Sequence, residues 1–174
     1  MCWVWSTVQT RHHRCTLAIH LRQSRSSIIF AHDGDSLEVL YWGKKLGAID
    51  KAAAESIRAA RTKPAFHGGL DVAPGNLILR EHARGWIGHP ALRGHRAGVN
   101  ASNSFTLKSA TQKDQSLNAV FVDSIAGLEV SIEYSLTPSD VLLINATVTN
   151  IAEGDYSLEH FLYWLPLGEN ADEI

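Results

Sequence analysis

From Leu128 to Leu136 the chain alternates without a fault: Leu128, Val130, Ile132, Tyr134 and Leu136 against Glu129, Ser131, Glu133 and Ser135. A side-chain period of two places the first set on one face of a strand and the second on the other. The segment therefore predicts an antiparallel strand with one buried and one wet face. After the turn residues Pro138-Ser139-Asp140, the set Leu142, Ile144, Ala146 and Val148 repeats the pattern against Asn145, Thr147 and Thr149. Glu153-Gly154-Asp155 turns the chain again, and Leu158 to Leu165 reads as the last strand. Phe105–Ala110 and Asn118–Asp123 read as the strands before these. This spacing, with short turns between, suggests a sandwich.

The first third is also β in pattern. Ile19–Arg22 reads as a possible strand and Ser27–Ala31 as another, closed by the turn signal Asp33-Gly34-Asp35. Leu37 to Trp42 then puts Leu37, Val39 and Tyr41 on one face and Glu38, Leu40 and Trp42 on the other. Both faces are largely apolar, as expected of a strand packed on two sides. One helix is predicted near 50–61: Asp50 can cap it, Ala52-Ala53-Ala54 favours it, Arg58 and Arg61 suit its C-terminal end, and Pro64 stops it.

From Pro64 to Ser104 the periodicity disappears apart from short apolar runs such as Leu77–Leu79. Within this region, Arg84 to Gly98 holds four glycines, one proline, three arginines, two histidines and Trp86. Glycine and proline together exclude a helix and make a poor strand. The window predicts a structured loop carrying an aromatic plate and cationic forks, a composition suited to holding a polar ligand. His82, His89 and His95 match no zinc spacing and have no cysteine near them, so they read as solvated or hydrogen-bonded side chains. Asp33, Asp35, Asp140 and Asp155 read as turn residues, and Asp123 sits at a strand end.

Residues 1–16 differ from the rest: two tryptophans, two cysteines and Arg11-His12-His13-Arg14 occur with no period. They read as a disordered extension or a misplaced start, or else as an edge strand from Trp3 to Val8. They do not read as a signal peptide, since the basic cluster interrupts any apolar core. The 174-residue chain is 45% hydrophobic and 20% charged, which suffices for one core, and its net charge of −2 argues against a general nucleic-acid binder. Cys2 and Cys15 make no disulfide framework, and no apolar run is long enough to span a membrane, so a reduced, cytoplasmic setting is expected.

Three segments carry a resemblance. Leu40-Tyr41-Trp42-Gly43-Lys44-Lys45-Leu46-Gly47 is similar to an early strand of bacterial α-galactosidases of glycoside hydrolase family 36. Gly85–Arg96 resembles the loop that follows it, and Val141–Asn150 with Phe161-Leu162-Tyr163-Trp164-Leu165-Pro166-Leu167 resembles the strands after that. The resemblance covers residues 17–174. It implies an all-β, mainly antiparallel fold: an incomplete β-supersandwich of the galactose-mutarotase-like kind, truncated, with the catalytic (β/α)8 barrel absent. It implies a non-catalytic N-terminal part of an enzyme that hydrolyses terminal α-linked galactose from melibiose- or raffinose-type sugars with retention, inactive alone. No metal or organic cofactor is implied, no catalytic residue lies in this chain, and the intact enzyme is expected to be a homo-oligomer acting on galactoside oligosaccharides.

In the family, a frequent form of the loop reads Gly-Asp-Phe-Arg, one more residue, then Pro-Ala, and the loop can reach a neighbouring subunit's sugar pocket. Here the aspartate is replaced by Trp86 and the arginine by Gly88. Trp86 would then wall the pocket, with its indole N–H on a hydroxyl, or else pack within its own domain or a subunit interface. Arg93 and Arg96 offer forks to the ligand, or salt bridges to Glu81 or Asp71 that anchor the loop. The other reading of the whole chain is a free-standing β-sandwich that binds carbohydrate or mediates assembly through this loop.

Overall fold

The structure, a computed structural model, describes residues 17–61 and 75–166. The expectations for residues 1–16, for Pro64 and Asp71, and for Leu167 onward lie outside the described residues. Nine strands and one α-helix occur among the described residues, in the order β1 (Leu17–Arg22), β2 (Ser26–His32), β3 (Leu37–Lys44), α1 (Lys51–Arg61), β4 (Leu92–His95), β5 (Thr106–Lys113), β6 (Ser116–Asp123), β7 (Leu128–Leu136), β8 (Leu142–Asn150) and β9 (Ser157–Phe161). All pairings are antiparallel: β1-β2-β3, β4-β9 and β5-β6-β7-β8.

The two larger sheets face each other across one apolar layer. Ile19, Leu21, Ile28, Phe30, Leu37 and Val39 come from the first, and Leu117, Phe121, Val130, Ile132 and Tyr134 from the second. The alternation along β7 is seated as expected, with all five apolar residues buried. The outer face of β1-β2-β3 is buried too, under α1: Ile29, Ala31, Leu40 and Ala54 form a second cluster with Tyr41 and Ile57 packed on it. Asp50 caps the helix, its carboxylate accepting the Ala53 N–H at 2.8 Å. The two arginines expected to suit the dipole also tie the helix to β3. Arg58 pairs with buried Glu38 at 2.5 Å, and Arg61 donates to the Leu40 carbonyl at 2.6 Å.

Strict alternation along β3 does not hold. Phe30 pairs with Val39 but Ile29 pairs with Tyr41, so Leu40 is an extra residue in the strand. A bulge of this kind inverts the facing of everything beyond it. Leu40 and Tyr41 therefore both meet the helix side, and Trp42 returns to the inter-sheet layer instead of facing away from it.

A second correction concerns the loop. Leu92–His95, placed in a region judged a poor strand, is β4 and pairs with β9. Gly94 is the reason. A Cβ there would overlap the Ser157 carbonyl oxygen and the Tyr156 ring, so the two backbones approach only because the residue is glycine. β9 ends at Phe161 rather than Leu165, where the chain leaves β4: the Leu162 N–H goes to the Ala91 carbonyl and the Trp164 N–H to that of Ile78.

At the centre of the inter-sheet layer Phe30 and Tyr134 lie 4.8 Å apart, and the fully buried Tyr134 hydroxyl has no hydrogen-bond partner among the described residues. Burial pushes its ionisation far up. A buried hydroxyl without a partner costs about 1–3 kcal/mol. Tyr134→Phe should therefore leave stability unchanged or raise it by up to about that amount, as measured by chemical denaturation. A clear loss of stability would mean that the hydroxyl is bonded.

Candidate functional site

The site is hung from the edge of β3. The Val39 N–H donates to the Asn76 carbonyl and the Ile78 N–H to that of Leu37, so residues 76–78 run beside β3 and bury Ile78. The Arg80 carbonyl then accepts the Ala91 N–H at 2.7 Å. Between these two points the chain makes a 3₁₀ turn, His82–Arg84, that ends at Gly85 with φ 83°.

Buried Glu81 holds the turn. Its carboxylate accepts the Phe105 N–H at 2.6 Å and Arg84 Nε at 3.0 Å, and Arg84 also donates to the Phe105 carbonyl at 2.7 Å. The turn is thereby fixed to the start of β5. Burial raises the Glu81 carboxyl above its ordinary range, against the opposing pull of the Phe105 N–H and Arg84.

Trp86 follows the turn. Its N–H, expected to reach a ligand hydroxyl, is instead spent on the His89 carbonyl at 2.8 Å. Gly88 lies against the indole: a Cβ there would fall 2.9 Å from ring atoms Cζ2 and Nε1, closer than real contacts allow. Trp86 and Gly88 are thus a single packing arrangement, since the ring occupies the space that a side chain at position 88 would need.

On the indole sits Arg80, a residue the sequence reading did not single out. Its guanidinium carbon is 4.1 Å from the Trp86 ring centroid and 3.9 Å from that of Trp164. Both distances are well inside cation–π range. Nε is buried without a partner, and Arg80 has no hydrogen bond or ion pair from its side chain among the described residues. Burial lowers its pKa. No periodicity could have flagged it. The only sequence signal was an arginine two residues after a buried isoleucine and six before a tryptophan.

The two other arginines are engaged elsewhere. Arg93 pairs with Glu159 at 2.8 Å on the surface, and not with Glu81. Arg96 makes no salt bridge among the described residues. It donates to the carbonyls of Glu153, Gly154 and Ala126 at 2.8, 2.6 and 3.0 Å and to Asn150 Oδ1 at 2.8 Å, so it ties the end of β4 to the β6–β7 and β8–β9 turns. On the other side of the loop a cleft of about 370 Å³ is lined by Glu81, His82, His89, Arg93, Asn103 and Phe105 among others. His82 faces the Gly88 carbonyl at 3.0 Å, and His160 that of Pro90 at 3.1 Å. No group of three His, Cys, Asp or Glu side chains is placed to hold a metal ion among the described residues.

The carboxylates at turns are occupied. Asp33 Oδ1 accepts from Asp35 and Ser36. Asp123 accepts the N–H groups of Ser104, Ile125 and Ala126. Asp140 accepts the hydroxyls of Ser24 and Ser26 and two backbone N–H groups of the β1–β2 turn, and these bonds hold its carboxyl far below the usual range. None of these carboxylates is left free for chemistry in this arrangement.

These features define an antiparallel β-sandwich domain that carries a rigid loop with an aromatic–cation stack. Residues 35–174 match the glycosyl hydrolase family 36 N-terminal domain, and the chain belongs to that family. It is 32% identical over 137 residues to an α-galactosidase of Escherichia coli, a match that covers 79% of this chain and 19% of that protein. The chain thus spans about a fifth of the curated relative. Its fold is that of solved α-galactosidases. The Lactobacillus brevis enzyme superposes with a TM-score of 0.58 at 19% identity over 76% of this chain and 21% of that one. A family 36 enzyme of Geobacillus stearothermophilus superposes with 0.59 at 19% identity over 77% and 22%. No helix of the described residues is long and apolar enough to cross a membrane.

Two expectations follow. Arg96→Ala removes four hydrogen bonds at once and should cost about 2–3 kcal/mol, a fall of roughly 5–10 °C in melting temperature, whereas Arg93→Ala should change stability by less than about 0.5 kcal/mol. Similar losses for the two variants would contradict the assignment. The second concerns pH. A carboxyl raised by folding stabilises the fold while it is protonated, so stability should decline as pH rises from the ordinary glutamate range near ~4.3 through the raised value of Glu81. Asp140 acts oppositely and in a separate window, losing its contribution as pH falls below ~4. Denaturant melts of Glu81→Gln should lack the upper decline; its persistence would assign that decline to another group.

Proposed function

We propose that the chain is the non-catalytic N-terminal part of an α-galactosidase that releases terminal α-linked galactose from melibiose- or raffinose-type sugars with retention. The match of residues 35–174 to the family 36 N-terminal domain carries this reading. The fold of a Geobacillus stearothermophilus α-galactosidase solved in complex with raffinose, at 16% identity and a TM-score of 0.58, is consistent with it. Retaining hydrolysis needs two carboxyl groups about 5 Å apart, and Asp33, Asp123 and Asp140 are engaged in capping turns. The chemistry belongs to a barrel outside this chain.

In this reading the Gly85–Gly98 loop walls a sugar pocket across a subunit interface of a homo-oligomer. Trp86 contributes as a packed plate rather than as a hydrogen-bond donor, because its N–H is spent within the loop. Arg96 holds the far end of the loop, and Arg93 stands on its exposed side.

The reading is tested by joining the chain to the segment encoded downstream of it. The chain alone should not hydrolyse a chromogenic α-galactoside, and the extended protein should. In that protein Trp86→Ala should lower kcat/KM for melibiose about tenfold, mostly through KM, since it removes binding surface and no reacting group. Turnover by the 174-residue chain alone, or an extended protein without α-galactosidase activity, would overturn the reading.

A further inference from the structure

The least explained group in the molecule is the Arg80 guanidinium. An arginine is normally retained near a surface by a carboxylate, a carbonyl or water. This one lies between two indole rings, 4.1 Å from Trp86 and 3.9 Å from Trp164, with no acceptor for its nitrogens among the described residues. The neighbouring carboxylate is directed away, because Glu81 is committed to Arg84 and to the Phe105 N–H.

The stack is also fixed in place. The Arg80 carbonyl accepts the Ala91 N–H, the Trp164 N–H is bonded to the Ile78 carbonyl, and the Trp86 ring is held through the His89 carbonyl and against Gly88. A guanidinium held this way loses little freedom on binding, which is the condition for a strong and directional donor. Its charge is offset on both faces by the negative faces of the rings. What remains unused is the in-plane pair of N–H groups at its end, since Nε itself is buried. Those groups match two neighbouring oxygen atoms. The rings stabilise the charge without neutralising it, and it is the reading of the loop as a sugar-pocket wall that makes the oxygen pair that of a neutral sugar.

We propose that Arg80 is a ligand-binding residue, donating its two terminal N–H groups to adjacent hydroxyl oxygens of a neutral sugar at the edge of the Trp86–Arg80–Trp164 stack. This rests on the reading of the loop as a pocket wall and adds the group that makes the polar contact.

Nitrogen-15 NMR of the full chain, following the Arg80 Nε–H and Trp86 Nε1–H signals, tests this with melibiose as one probe and sodium acetate as the other. Melibiose should shift both signals saturably. Arg80→Lys, which keeps the charge but not the fork, should weaken melibiose binding about tenfold or more. The titration of the unaltered chain decides the matter even if that variant does not fold. If melibiose moves Trp86 alone and Arg80→Lys binds as well as the unaltered chain, Arg80 is not the contact, while the pocket-wall reading stands. If acetate saturates the Arg80 signal and melibiose does not, the site takes anions and the sugar assignment is wrong. If neither probe moves the Arg80 signal, the stack serves packing alone, and the proposal fails independently of any activity assay.

Discussion

The sheet β1-β2-β3 must be buried on both faces, and much of the structure follows from that requirement. Three strands cannot hold two apolar faces in water. One face is covered by β5–β8, the other by α1, and the bulge at Leu40 distributes the β3 side chains between the two coverings. Glu38, which falls on the helix side, is paired there with Arg58 from α1. The third exposure of the sheet is its edge. Residues 76–78 bond to β3 there, and so carry the chain to the position from which Arg80, Glu81 and Trp86 project.

The loop is rigid for a related reason. Backbone bonds from Arg80 to Ala91 and from Leu162 to Ala91 bring both its ends to one place, and buried Glu81 fixes its first turn to β5. A loop held at three points loses little entropy on meeting a ligand, so its side chains can contribute binding energy that a mobile loop would spend on ordering. The burial of Glu81 carries a cost, visible in its raised ionisation, and the Arg84 and Phe105 contacts offset it only in part.

What could be read beforehand divides along the same physical line. β7 was legible because one of its faces is wet and the other buried, which imposes a period of two on the residues themselves. The Asp50 cap was legible because capping is local chemistry. The facing of Tyr41 and Trp42 was not, since a bulge leaves composition unchanged and moves only the register. β4 was hidden because a residue that weakens an isolated strand, Gly94, is what permits this pair: the close approach to Ser157 lies in a partner more than sixty positions away. The loop was recognised by its residues, yet the arginine stacked on its tryptophan was missed. The position of Arg80 depends on Trp164, and nothing in a short window relates them.

Relative to the aspartate-bearing loop that the sequence resembles, Trp86 changes which atoms are available. An aspartate at that position presents an acceptor directly. Here the indole N–H turns inward to His89, Gly88 gives up its side chain to the ring, and one ring face is taken by a guanidinium. These are not separate substitutions, because each fills or empties space that another requires. Their sum leaves a positioned cation within cation–π distance of two rings. Under the proposal made for Arg80, polar recognition passes from an acceptor carried on the loop to a donor carried beneath it. The tryptophan then serves chiefly to set the plane in which that donor points.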